Sequence, residues 1–337
     1  MPARPAQQRL STAATAAAAD GLAGLFSQQR LTLLLERAVG ERKGADEVLW
    51  HSGAFAAEVY PDLPVATTWQ ELLPRSWRSA DNKSASCGSS SGIPSSSSNA
   101  MGSHHQPACQ AWRVQTVAAQ LRWGGTLRQL LLEAALGSWP ADAVLLVSGS
   151  HPARMLPGAS RFLYSSFDSL HLAADMRAAG ELPATLSLWA VENPLLNPVH
   201  RLRQKADAGA EVVLTQPPLL WEHAAAWVHA AAEAGISQQL KLVVGMPMVS
   251  SASNLDFWLR LCSIRNKPGA EEVLASFPSD PAAIKAWNAD LVRRTVALPG
   301  VAGLHVMPLT GAARRMTREL LEEGVFMCRD RCSEGGK

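Results

Sequence analysis

The chain has 337 residues, 31 Lys and Arg against 29 Asp and Glu for a formal net charge of +2, with 47% hydrophobic and 18% charged residues. That balance suits a chain folding around a core and excludes an intrinsically disordered protein; near-neutral charge also argues against a nucleic-acid binder, which needs a clustered basic footprint. Five cysteines, an odd number, make no secreted disulfide framework and point to a reducing, cytoplasmic compartment, and no apolar run approaches the ~18 residues of a membrane span.

In chain order, residues 1–20 hold Arg4, Arg9, Ser11, Thr12 and Thr15 among many alanines, with no acid before Asp20. This composition fits a mitochondrial or chloroplast transit peptide as well as an Ala-rich tail. Residues 21–78 form an N-terminal segment in which Leu31–Leu35 and Glu47–His51 are candidate strands for the first barrel units. Trp50, Trp69 and Trp77 suit either that packing or a protein interface, where Trp is enriched. Residues 79–107 read as a disordered insertion: half of the positions from Ser84 to Ser103 are serine, with nothing to offset the entropy of ordering. His104, His105 and Cys109 follow, suitable in type for zinc, but no second pair completes four ligands and no metal site is expected.

From 108 to 325 the pattern repeats about every 30 residues: an apolar run, a turn, then an Ala/Leu-rich amphipathic stretch. The runs Trp112–Ala119, Ala143–Val147, Thr185–Val191, Glu211–Thr215, Leu240–Gly245 and Val301–Met307 are near-continuously apolar, as strands buried on both faces of a parallel sheet must be. Helices are predicted at 126–136, 167–179, 198–208, 219–234, 253–262, 281–297 and 311–323. Gly209 and Gly235 read as helix C-caps, and Asp280-Pro281 as an N-cap followed by proline at the first helical position. Trp221, Trp227 and Trp258 fall on helices as core fillers. Six β/α units predict an α/β fold, a (β/α)₈ barrel first, with its N-terminal units incomplete, and an open doubly wound sheet second. Residues 326–337 are a tail, in which Cys328 and Cys332 read as inert thiols.

In a barrel, function sits where the strands end. Those ends read Ser148-Gly149-Ser150-His151, Glu192-Asn193, Thr215-Gln216, Met246-Pro247-Met248 and Met307-Pro308. Only His151 and Glu192 titrate there. His305 reads as a satisfied core histidine. Lys205 and Arg203 could face an anion but read first as a solvated helix face.

The run Trp189-Ala190-Val191-Glu192-Asn193-Pro194, then Lys205-Ala206-Asp207-Ala208-Gly209-Ala210, then Val213-Leu214-Thr215-Gln216, resembles methylenetetrahydrofolate reductase; Val244-Gly245-Met246-Pro247 and Gly303-Leu304-His305 extend the likeness over about 110–323. The resemblance implies a flavin-binding barrel that passes a hydride from NADPH or NADH through FAD to methylenetetrahydrofolate. It implies that Gln216 contacts the pterin, that Lys205 lies near the cofactor phosphates, and that Ser148, Gly149 and Asn193 occupy cofactor-contacting positions. Ser150 stands where the family has an aspartate. The tyrosine and arginine of the family's last strand are missing from Val306–Gly311, and the strand carrying its general-acid glutamate is not recognisable in 1–78. Losing both acids should cost at least ~10⁴ in rate. The expectation is therefore a degenerate barrel serving as a binding or structural subunit, with a protein partner or a second copy as companion. The alternative is an active, divergent reductase in which His151 or an N-terminal residue replaces the acid.

Overall fold

The computed structural model describes residues 24–26, 31–37, 43–61, 111–119, 122–149 and 164–327. Residues 1–20, the Ser-rich 79–107, His104, His105, Cys109, Ser150, His151, Trp69, Trp77, Cys328 and Cys332 lie outside the described residues. The described residues belong to one compact unit; a second, Leu63–Gln110, lies outside the described residues.

Eight strands run β1 (Thr32–Glu36), β2 (Ala57–Tyr60), β3 (Trp112–Ala118), β4 (Ala143–Val147), β5 (Ser187–Glu192), β6 (Val212–Thr215), β7 (Lys241–Met246) and β8 (Val301–Val306). All neighbours pair in parallel and β8 returns to β1, closing a barrel in which Leu34 lies opposite His305. The helices are α1 (Lys43–Trp50), α2 (Gly124–Leu136), α3 (Ser166–Ala178), α4 (His200–Asp207), α5 (Trp221–Glu233), α6 (Ala252–Leu261), α7 (Ala270–Ala275), α8 (Pro281–Val296) and α9 (Gly311–Glu322). None of the described helices is long and apolar enough to cross a membrane.

Strand side chains alternate between two apolar layers. Leu34, Val59, Val114, Leu145, Trp189 and Leu214 fill the barrel, while Leu33, Leu35, Leu188, Ala190, Val213 and Val244 face the helices. Trp189 is fully buried, its Nε1 donating to Ser187 Oγ at 2.9 Å, and Phe26 tilts against it with centroids 6.3 Å apart. Thr32 Oγ1 donates to the Leu25 carbonyl at 2.9 Å, so residues 24–26 plug the N-terminal end of the barrel. The opposite end, where the strands finish, is left for function.

The six later strands match their apolar runs within two residues. The N-terminal expectations need correction. The closed barrel is the fold expected first, with Leu31–Leu35 supplying β1, but Glu47–His51 is no strand: Lys43–Trp50 is a helix that buries Leu49, and Trp50 packs half-buried against the outer core. The second strand is Ala57–Tyr60 instead. Its outward Glu58 accepts from Tyr60 Oη at 2.6 Å and pairs with Arg37 at 3.2 Å. Gly209 and Gly235 take left-handed φ values of 98° and 69° behind α4 and α5, and Asp280 caps α8 through Ala283 N at 2.9 Å.

Candidate functional site

The C-terminal ends of the strands carry three groups of polar residues. The first joins β1 to β8. Glu36 and His305 follow the inward alternation set by Leu34, and the two side chains meet with Nε2 and Oε2 2.8 Å apart. His305 is 7% and Glu36 19% exposed in the side chain. An imidazole against a carboxylate in a largely dry barrel end can hold a proton and pass it on. The N-terminal segment therefore does bring an acid to the mouth, contrary to the sequence expectation, and the buried His305 has that acid for its partner. The only local signal was the charged Glu36-Arg37 ending a run of leucines.

The second group lies behind the mouth, between β5 and α4. Glu192, on the outward alternation of Leu188 and Ala190, meets Lys205 at 2.7 Å, both side chains 2% exposed. Lys205 Nζ also donates to the Val191 carbonyl. Asn197 Nδ2 and Asn193 N donate to Glu192 Oε1 at 2.6 and 3.0 Å, and Arg201 Nε approaches Oε2 at 3.6 Å while its guanidinium lies 5.0 Å over the Phe167 ring. Burial pushes the Lys205 ammonium below its ordinary range, against the pull of Glu192, which raises it. Such a pair persists only while both charges are present.

The third group ties β5 and β6 to the end of α6. Cys262 Sγ donates to Gln216 Oε1 at 3.3 Å, and the Cys262 carbonyl accepts from Asn193 Nδ2 at 2.9 Å. Asn193 Oδ1 accepts from Leu195 N at 3.0 Å. At β4, Ser148 Oγ accepts from Ser166 N at 2.9 Å, satisfying an open donor at the start of α3, and Gly149 holds φ 75°. After β7 the loop is strained: Met248 has φ 48° and is locked by Asn288, whose amide accepts from Val249 N and donates to the Val249 carbonyl, both at 2.8 Å. Gly245 is required just below, because a Cβ there would lie 2.6 Å from the Thr215 carbonyl oxygen.

The flavin dinucleotide implied by the resemblance carries a diphosphate, and Lys205, the cation that the resemblance offers it, does not fit that task. Lys205 is 1% exposed and spent on Glu192, Arg201 leans on the same carboxylate, Asn193 is engaged by Cys262 and Leu195, and Ser148 Oγ accepts from α3, which leaves one hydroxyl hydrogen to give. Gln216 is half-buried at the mouth, as Ser148 and Asn193 are, and its Nε2 makes no hydrogen bond among the described residues. No group of three or more His, Cys, Asp or Glu side chains that could hold a metal ion occurs among the described residues. A cavity of about 420 Å³ lies elsewhere, between β3 and α2, lined by Arg113, Gln115, Glu133 and Trp139 among others. Trp227 and Trp258 are buried, as core fillers are, and Trp221 is half-buried under Arg294, 4.0 Å from its ring.

No family model and no curated protein matches the sequence. Among solved structures, 2,3-dimethylmalate lyase, a member of the PEP mutase/isocitrate lyase superfamily, is 13% identical with a TM-score of 0.44, over 91% of this chain and 85% of that one. A putative phosphonomutase from Burkholderia cenocepacia J2315 is 12% identical with a TM-score of 0.42, over 90% and 98%. A dihydropteroate synthetase is 12% identical with a TM-score of 0.37, over 88% and 93%. At these values none carries an argument about the chemistry of this chain.

Proposed function

We propose that the chain is a methylenetetrahydrofolate-reductase-like barrel that binds a folate-type small molecule at its mouth and does not run flavin-dependent hydride transfer. One contrast carries this reading. The cation that the resemblance assigns to the cofactor, Lys205, is consumed by Glu192, and Ser148 Oγ already accepts from Ser166 N, whereas Gln216, assigned to the pterin, keeps its amide nitrogen without a hydrogen bond among the described residues. A cation held by a buried carboxylate cannot turn to a phosphate without leaving that carboxylate uncompensated, which is costly. Function resides in the site rather than in the barrel, so loss of the cofactor grip with a ligand contact retained describes a binding subunit. Its companion is a second copy of the chain or another protein.

The test is a visible spectrum of the purified full-length chain followed by titration with methyltetrahydrofolate. A colourless protein that binds the folate supports the proposal. A yellow protein whose two absorption bands bleach with NADPH or NADH and return with methylenetetrahydrofolate overturns it.

A second reading is favoured by the Glu36–His305 pair: an active, divergent FAD-dependent reductase in which this pair handles the proton. A binding subunit has no need of a carboxylate facing an imidazole inside the barrel end, 2.8 Å apart. The same spectrum separates the two readings.

A further inference from the structure

Gln216 stands where β6 runs out into the mouth, and its side-chain oxygen is already taken by the Cys262 thiol at 3.3 Å. Cys262 ends α6, is 2% exposed, and through its carbonyl also holds Asn193 Nδ2 at 2.9 Å. The thiol is the natural donor of this contact, because an amide oxygen only accepts. Burial raises the thiol pKa to about 12, so the donor persists throughout the neutral range. A free glutamine presents either its oxygen or its nitrogen to a ligand by a flip of the amide. Here the flip would cost the thiol its acceptor and replace the S–H···O contact by an N–H···S contact to a weakly accepting sulfur.

We propose that Cys262 is a positioning residue that fixes the Gln216 amide with its NH₂ group toward the mouth, so that the bound molecule is selected for a hydrogen-bond acceptor at that point. This rests on the reading that Gln216 belongs to the ligand site and adds to it the polarity of the contact. Asn193 is held on the same post but has its oxygen engaged by Leu195 N at 3.0 Å, so the selectivity falls to Gln216. A pterin with a 4-oxo group offers the required acceptor. Its 4-amino counterpart sets a donor against a donor, and an unmatched polar group in a partly dry site weakens binding by about tenfold or more.

The experiment compares the affinities of folic acid and aminopterin, which differ by that exchange, for the full-length wild-type chain and for Cys262→Ser, Cys262→Ala and Cys262→Val. Melting curves identify which variants fold; Cys262→Val replaces Cys262→Ala if the latter does not. Wild type should prefer folic acid by about tenfold or more, Cys262→Ser should keep the preference through its hydroxyl donor, and the apolar variants should bring the ratio to within about threefold. A merely structural cysteine would change both affinities together and leave the ratio unaltered. Undiminished preference in the apolar variants overturns the proposal while leaving the ligand site standing, as does a wild type that binds both compounds without preference. A wild type that binds neither compound overturns the ligand-site reading itself, and the proposal with it.

Discussion

The Glu192–Lys205 pair offers the sharpest energetic test. Both side chains are 2% exposed, 2.7 Å apart, with Asn197 and Asn193 N completing the shell of the carboxylate. Glu192→Gln leaves a buried ammonium and Lys205→Met a buried carboxylate, and either should cost about 3–5 kcal/mol. The double variant removes both charges and keeps the volume, so it should lie within about 1–2 kcal/mol of wild type rather than at the sum of the single losses. Thermal melts read this directly. At about 2–4 °C per kcal/mol for a domain of this size, each single variant should melt roughly 6–20 °C lower, with the double variant recovering most of the difference. The pH dependence has a fixed sign. Burial lowers the folded-state pKa of Lys205 below its ordinary 10.5, so the cost of keeping it charged is present below the folded pKa and relieved as pH rises toward 10.5. Additive single losses, or single variants that melt with wild type, would mean that the two charges sit in water and that Lys205 is free for a phosphate after all.

Three further outcomes follow from local geometry. Gly245→Ala should destabilise by about 1–3 kcal/mol in a melt, because its Cβ would meet the Thr215 carbonyl at 2.6 Å, whereas Gly125→Ala, with open space around it, should be neutral or stabilising. Asn288→Ala leaves the Val249 N–H and carbonyl without partners, at about 1–3 kcal/mol for each group, and hydrogen exchange should show the Val249 amide opening faster; unchanged exchange would remove Asn288 as the lock on Met248. The Cys262 thiol, raised by burial from 9.0 to about 12, favours the folded state fully below pH 9 and loses that contribution as pH climbs through 12. Cys262→Ser, lacking the titration, should lose less stability over that range than wild type.

Most of the barrel was legible in the sequence because its parallel strands are buried on both faces. Ala143–Val147 is an unbroken apolar run, and so is Val212–Leu214 ahead of the buried Thr215. Ala57–Tyr60 was not legible, because it is only four residues long and alternates: Glu58 and Tyr60 face outward into a polar cluster with Arg37, opposite Arg113 and Gln115 of the longer β3. The eight residues of α1, which bury Leu49, imitated a strand, and α7, only six residues long, left too short a signal. Site residues were visible as types at strand ends but not as pairs. Gln216 and Cys262 lie 46 residues apart, and Glu36 meets His305 only because β8 closes on β1. Nothing local in the helix of Lys205 reveals that the preceding strand has already supplied its counter-charge.

The most direct measurement is NADPH and NADH oxidation by the full-length chain with added FAD and methylenetetrahydrofolate, run beside a methyltetrahydrofolate binding titration of the same preparation. Folate binding without nucleotide oxidation above the protein-free rate is the result expected of a barrel that kept Gln216 and committed Lys205 to Glu192. Nucleotide oxidation that depends on the folate and disappears in Glu36→Gln would contradict it and leave the Glu36–His305 pair as the working centre of an enzyme.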